Sequence, residues 1–215
     1  MPSKKTALTI GELRKAVAML PAGDQPHDLR GKRDRAMLLA GYFGAFRRSE
    51  LVALAVDQIR FERDQARIHI VKSKTDQEGK GKYKHLPVLS DDLADVCPSR
   101  ALRAWLDAAD IGSGPAFRAI DQWGHVRDTA MTGKEVARLV KRVVEATGLT
   151  AKDFAGHSLR SGFVTDATQA GASDSSIMEQ TGHTSRETVD GYRKQAGRGA
   201  LDAAHKVAEL VRMRA

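Results

Sequence analysis

The chain has 215 residues, 41% of them hydrophobic and 29% charged, which is typical of a soluble globular protein with a packed core. Its formal net charge of +8 favours a polyanionic partner, and its single cysteine, Cys97, excludes an internal disulfide framework and fits a reducing cytoplasm. No stretch is long and apolar enough to span a membrane, and the N-terminal residues lack the apolar core of a signal peptide, so we expect an intracellular protein with no membrane partner.

The first half of the chain predicts helices and then a change of periodicity. Thr9 and Glu12 form a capping box at the start of the first helix, and Pro21 stops it. Its apolar face holds Ile10, Leu13, Val17 and Leu20. After a loop, apolar residues predict a helix over 33–45, and "RSELVALAV" predicts another over 48–56.

A β-hairpin follows, since residues 66–74 and 82–89 alternate in period two on either side of a polar connection. Residues 57–62 offer a third strand, and residues 115–128 predict a second short pair of strands. Further helices are predicted over 99–110, 132–148, 157–170, 173–181, 185–195 and 199–213. The predicted fold is therefore mainly α with a small antiparallel β-sheet, an α+β arrangement.

Three polar stretches stand out from this background: "GAFRRSEL" (44–51), "HSLRSGF" (157–163) and "GHTSRETVDGY" (182–192). Each alone has an ordinary explanation, such as a solvated double arginine, a surface His-x-x-Arg pair or a helix-ending Gly-His. Tyr192 is harder to explain by packing, because polar residues flank it, whereas Tyr42 lies in an apolar run. The ordered combination of arginine, His-x-x-Arg, Gly-His and tyrosine is more informative than any single motif.

In that order the motifs resemble the catalytic domain of the tyrosine recombinases, the phage-integrase family. The resemblance runs from "ALTIGEL" at residue 7 to about residue 195. It implies a tyrosine recombinase catalytic fold and an enzyme that cleaves and rejoins DNA at specific sites through a 3′-phosphotyrosine intermediate. Duplex DNA carrying recombination sites is the implied partner.

The resemblance also assigns site residues one by one. Arg47 matches the family's first arginine, counted back from the Ser-Glu-Leu stretch, and Glu50 matches the acidic helper. Arg48 is a rival, because Ala45 occupies a position where the family often has glycine. The other matches are His157 and Arg160 to the His-x-x-Arg box, His183 to the second histidine and Tyr192 to the nucleophile.

The family's catalytic lysine lies on the β-hairpin, where this chain offers several candidates. Lys74 is preferred, because "SKT" ends the first strand as the family's lysine-bearing segment does. The rivals are Lys72, Lys80, Lys82 and Lys84.

The chemistry of phosphodiester transfer suits these residue types. Two guanidinium groups stay charged and donate paired hydrogen bonds to the extra negative charge of a pentacoordinate phosphorus. A tyrosine hydroxyl, with an ordinary pKa of about 10, needs help in losing its proton, and His157 can provide it. A lysine can protonate the leaving 5′ oxygen, and His183 can donate a hydrogen bond to a non-bridging oxygen. No metal and no cofactor is expected, because the arginines supply the positive charge and the histidines lack ligand partners at metal-site spacing.

Two other interpretations stay open at this point. One is a basic DNA-binding domain without chemistry, and the other is a type IB topoisomerase or telomere resolvase, which also combines a tyrosine with arginines. In the recombinase interpretation, residues 1–215 are expected to form a single catalytic domain without the family's usual N-terminal core-binding domain, either as an excised fragment or as a naturally minimal protein. Its residues 199–213 are expected to be a connector helix that joins a free monomer into a homotetramer on DNA.

Overall fold

Within residues 5–21, 28–71 and 81–182, which the computed structural model describes, the chain forms α-helices and two antiparallel sheets. The helices are α1 (Ile10–Ala18), α2 (Leu29–Phe43), α3 (Arg48–Val52), α4 (Pro98–Ala108), α5 (Gly133–Ala146), α6 (Ser158–Gln169) and α7 (Asp174–Thr181). The strands are β1 (Ile59–Phe61), β2 (Gln65–Ile70), β3 (Lys82–Pro87), β4 (Arg118–Ile120) and β5 (Val126–Ala130). The predicted mainly α fold with small antiparallel sheets is confirmed.

The larger sheet has the order β1-β2-β3, with each neighbouring pair antiparallel. Its buried face carries Ala66, Ile68 and Ile70 from β2 and Leu86 from β3, as period-two alternation predicts. Lys84 shares that inward face and pairs with Ile68 across the strands. A charged residue therefore occupies a position where the pattern calls for an apolar one.

Helix α2 lies at the centre of the main core and packs against α4 and α6. Its residues 36–40 are all fully buried, because this stretch is apolar on every side. Trp105 of α4 is also fully buried, and its indole Nε1 donates to the carbonyl oxygen of Ala116 at 2.8 Å. This bond connects α4 to the chain that leads into β4.

Three details differ from the sequence prediction. Helix α2 begins at Leu29 rather than at residue 33, and Gly31 in its first turn packs against the backbone of Pro21. Helix α3 ends at Val52, so the helix predicted over 48–56 is wrong in its second half. There the backbone pairs with another segment: Ala116 N donates to Leu54 O at 2.8 Å. Ile10 is more than a third exposed and does not belong to the buried face of α1.

Helix α6 is held against the N-terminal segment by a close backbone approach. The backbone N of Leu8 donates to Ser158 O at 2.9 Å, and a Cβ placed on Gly162 would lie only 1.7 Å from Leu8 O. Glycine is therefore required at residue 162 to seat the helix that carries Arg160.

The remaining predictions divide between confirmed and untested ones. The pairing of the hairpin strands, the third strand, the second pair of strands predicted over 115–128, and the helices predicted over 99–110, 132–148, 157–170 and 173–181 are confirmed. Residues 72–80 of the hairpin lie outside the described residues. The predicted helices over 185–195 and 199–213 lie outside the described residues. No helix in the described part of the chain has the length and apolar character needed to cross a membrane.

Candidate active site

The turn between α2 and α3, residues 44–47, positions the first predicted arginine. Gly44 ends α2, and Ala45 then adopts a left-handed backbone conformation with φ of 45°. This conformation strains a residue with a side chain, and Ala45 is fully buried while it adopts it. The reversal turns the chain so that Arg47 becomes the N-cap of α3.

Glu50 orients Arg47 through two hydrogen bonds. Arg47 Nη1 donates to Glu50 Oε1 at 2.7 Å, and the backbone N of Arg47 donates to Glu50 Oε2 at 2.9 Å. Arg47 Nη2 also donates to Gly182 O at 3.4 Å, just beyond the end of α7. The rival Arg48 is exposed, and its side chain lies against Gly133 and Gly156 instead. Of the two, Arg47 is the one that the turn directs toward α7.

Arg160, the second predicted arginine, lies in the first turn of α6 and is only 1% exposed. Its Nη1 donates to Ala45 O and to Thr181 O, both at 2.6 Å. The guanidinium thus joins the strained turn to the last turn of α7. His157 precedes Arg160 by three residues, is the N-cap of α6, and is exposed.

Lys84 makes a second connection between the same two segments. Its Nζ donates to Gly44 O and to Gln180 O, both at 2.8 Å, and more weakly to Ala45 O at 3.3 Å. Glu50 Oε2 lies 3.9 Å away. Burial lowers the pKa of the Lys84 ammonium to about 7, and the positive charge of Arg160 acts in the same direction, while Glu50 opposes it.

The end of α7 is where these cations meet. The carbonyl oxygens of residues 180, 181 and 182 accept hydrogen bonds from Lys84, Arg160 and Arg47 respectively. Such carbonyls lack partners within a helix and carry the negative end of its dipole, so cations stabilise them. Gly182 ends the helix with φ of 71°, a left-handed conformation that favours glycine. The next residue along the chain is His183.

The side chain of Gln180 reinforces this junction. Its Nε2 donates to Phe43 O and to His85 O, each at 2.7 Å, and its Oε1 accepts from His85 N at 3.2 Å. One amide therefore ties α7 to the end of α2 and to β3. Neither Gln180 nor the structural role of Lys84 was anticipated, although the placement of Lys84 follows from its period-two spacing with buried Leu86.

The tyrosines in the described residues occupy different environments. Tyr42 is buried and its hydroxyl donates to the Asp166 carboxylate, so packing explains it as expected, and burial raises the pKa of its hydroxyl. Tyr83 is about half exposed and its ring stacks on His69 with centroids 5.0 Å apart. The predicted nucleophile Tyr192, the second histidine His183 and the preferred lysine Lys74 lie outside the part of the chain that the structure describes.

The structure thus brings Arg47, Glu50 and Arg160 to one junction, with His157 on the same helix as Arg160. Among the residues described, no group of three histidine, cysteine, aspartate or glutamate side chains is arranged to hold a metal ion.

Comparison with known proteins identifies relatives that match most of the chain. A family model described as "Phage integrase family" matches residues 12–198. The integrase/recombinase xerD homolog of Selenomonas ruminantium is 42% identical over 167 residues, which are 78% of this chain and 48% of that protein. The tyrosine recombinase XerC of Syntrophus aciditrophicus is 28% identical over 167 residues, 78% of this chain and 50% of that protein. The chain spans about half the length of these curated relatives.

Solved structures show the same fold. The XerH site-specific recombinase, in a post-cleavage complex with a palindromic difH substrate, matches with a TM-score of 0.68 and 19% identity, over 96% of this chain and 54% of that one. A lambda integrase dimer bound to a COC′ core site matches with a TM-score of 0.59 and 18% identity, over 93% and 51%. At these identities the likeness establishes the fold.

The strained conformation of Ala45 predicts an unusual response to glycine. Ala45→Gly should leave the free energy of unfolding unchanged or raise it by up to about 1 kcal/mol, because release of backbone strain offsets the loss of a buried methyl. Ala36→Gly, at an equally buried position in α2, should lower it by about 2 kcal/mol through lost burial and helix propensity. Urea unfolding of both variants measures the difference. Equal losses would contradict the strain assigned to Ala45.

Proposed function

Because the chain belongs to the phage integrase family, we propose that it is a site-specific recombinase that breaks and rejoins duplex DNA through a covalent 3′-phosphotyrosine intermediate. The observation that carries this proposal is the meeting of Arg47 and Arg160 at the end of α7. The chain that continues from this point contains His183 and Tyr192.

The two arginines bind the scissile phosphate in this proposal. A guanidinium donates a planar pair of hydrogen bonds that matches two phosphate oxygens, and it stays charged at every physiological pH. Glu50 holds Arg47 in place at 2.7 Å, so the phosphate meets a donor that needs little reorganisation. The arginines stabilise the phosphate most strongly when the phosphorus becomes pentacoordinate, because its equatorial oxygens then carry more negative charge.

The proposed reaction exchanges one phosphoester bond for another. The Tyr192 oxygen attacks phosphorus, a bond between them forms, and the bond from phosphorus to the 5′ oxygen breaks. His157 accepts the phenolic proton, Lys74 supplies a proton to the leaving 5′ oxygen, and His183 donates a hydrogen bond to a non-bridging oxygen. The reverse attack by a 5′ hydroxyl of the partner strand rejoins the DNA.

Neither a metal nor ATP takes part in this scheme. The arginines supply the positive charge that metal ions supply in other phosphoryl transfers. The phosphotyrosine ester also retains the free energy of the phosphodiester bond that was broken, so rejoining consumes no external energy source.

Assembly follows the same proposal. Residues 1–215 act as one catalytic domain in the cytoplasm, monomeric when free and tetrameric on paired DNA sites. The segment 199–213 is the proposed connector, because its apolar residues recur at helical spacing after a glycine-containing break.

Covalent capture tests the proposed nucleophile. The probe is a pool of nicked suicide duplexes with a randomised central sequence, from which adducts that survive denaturing electrophoresis are isolated and sequenced. The wild-type protein and Tyr83→Phe should both form adducts, whereas Tyr192→Phe should form none, because only the attacking oxygen is removed. An adduct formed by Tyr192→Phe would show that another residue attacks.

Other outcomes of the same experiment distinguish the alternative functions. DNA binding without any adduct from the wild-type protein would indicate a DNA-binding domain without chemistry. Relaxation of supercoiled plasmid with no enriched sequence among the adducts would indicate a topoisomerase.

Lysine substitutions test the two arginines. Arg47→Lys and Arg160→Lys should each slow adduct formation on the captured duplex by about a hundred- to a thousandfold, because a point charge cannot reproduce the paired contact. Arg48→Lys is the matched control, and its rate should stay within a few-fold of the wild-type rate. Single-turnover rates at saturating DNA separate this effect from weaker binding. Near-normal rates in both lysine variants would contradict the assignment.

A further inference from the structure

Lys84 is an unusual residue in this fold because it is charged, buried and inward-facing. It is 4% exposed, and on the inward face of the larger sheet it lies beside buried Leu86 and opposite buried Ile68. Lysine is almost never fully buried unless it is paired, since removing an ammonium from water is unfavourable. An apolar residue at this position would pack without that penalty.

The contacts of Lys84 indicate what the ammonium does. It bridges Gly44 O on the turn between α2 and α3 to Gln180 O at the end of α7. Arg160 bridges the next residue on each segment, from Ala45 O to Thr181 O. The two cations therefore form adjacent, parallel bridges between the same two stretches of backbone.

These stretches contact both of the proposed phosphate ligands: Arg47 belongs to the turn, and Arg160 of α6 donates to a carbonyl oxygen on each stretch. The turn ends at Arg47. The carbonyl oxygen of Gly182, which follows Gln180 and Thr181 in the chain, accepts a hydrogen bond from Arg47. Without a donor between them, the carbonyl oxygens of Gly44 and Gln180 would repel each other. The turn would then no longer be held against the end of α7. Glu50, which orients Arg47, also lies 3.9 Å from the ammonium.

We propose that Lys84 is a positioning residue of the active site, which holds residues 44–47 against the end of α7 so that Arg47 and Arg160 engage one phosphate. This inference rests on the proposed recombinase function. Lys84 acts through the backbone and touches neither the DNA nor the leaving oxygen, unlike the general acid proposed for Lys74.

Lys84→Met tests this role, because methionine keeps the length and apolar stem but removes the ammonium. Two quantities are measured on the duplex captured by the wild-type protein: the adduct rate at saturating DNA and the binding affinity. A third is the adduct rate on the same duplex with sulfur as the bridging 5′ atom. A sulfur leaving group departs without a proton, so it restores a variant that lacks only the general acid. Lys141→Met, at an exposed position of α5, is the matched control.

We expect Lys84→Met to bind DNA like the wild-type protein but to form adduct about a hundredfold more slowly, the size of effect that a small misplacement of binding groups produces. The sulfur substrate should not restore its rate, whereas it should restore Lys74→Ala. Lys141→Met should behave as the wild-type protein on both substrates.

The results that would contradict this expectation can be told apart. A wild-type rate in Lys84→Met would overturn the inference and leave the proposed function intact, and rescue by sulfur would make Lys84 the general acid instead. Should Lys84→Met not fold, Lys84→Gln, which keeps one donor, is measured in the same way. Loss of the fold in both variants would overturn the positioning role, because Lys84 would then be needed for folding itself. No adduct from the wild-type protein would overturn the proposed function and this inference together.

Discussion

Three consecutive carbonyl groups at the end of α7 require hydrogen-bond donors, and cationic side chains from three other elements supply them. Lys84 comes from β3, Arg160 from α6, and Arg47 from the turn after α2. Each of these elements is therefore fixed relative to the others by the same short stretch of backbone. A helix C-terminus is a favourable place for this, because its unpaired carbonyls and its dipole both attract positive charge.

The arrangement links folding to function. Grouping cations is unfavourable unless negative charge offsets their repulsion, and here Glu50 and the carbonyl oxygens do so in the absence of DNA. A scissile phosphate would add further negative charge at the same place, which is why the junction suits the proposed chemistry. The strained backbone of Ala45 fits this view, since its carbonyl accepts from Arg160 at 2.6 Å and the conformation is held by the junction.

Much of the fold could be predicted from local pattern, and the failures have physical causes. The capping box at Thr9 and the alternation in β2 and β3 act within a few residues, so the sequence alone displays them. The early end of α3 depends on backbone pairing between Leu54 and Ala116, partners far apart in the chain. In the site, the order of the motifs was enough to predict Arg47 and Arg160. The role of Lys84 could not be predicted, because it depends on β3, the turn after α2 and the end of α7 coming together in the fold.

A crystal structure of Tyr192→Phe bound to the duplex that the wild-type protein captures would show directly whether both arginines bind one phosphate. We expect one backbone phosphate within hydrogen-bonding distance, about 2.7–3.2 Å, of the guanidinium groups of both Arg47 and Arg160. We also expect Lys84 Nζ to stay bound to the carbonyl oxygens of Gly44 and Gln180. A phosphate that contacts only one arginine, or a Lys84 that leaves the carbonyls to contact the DNA, would contradict the roles assigned to these three residues.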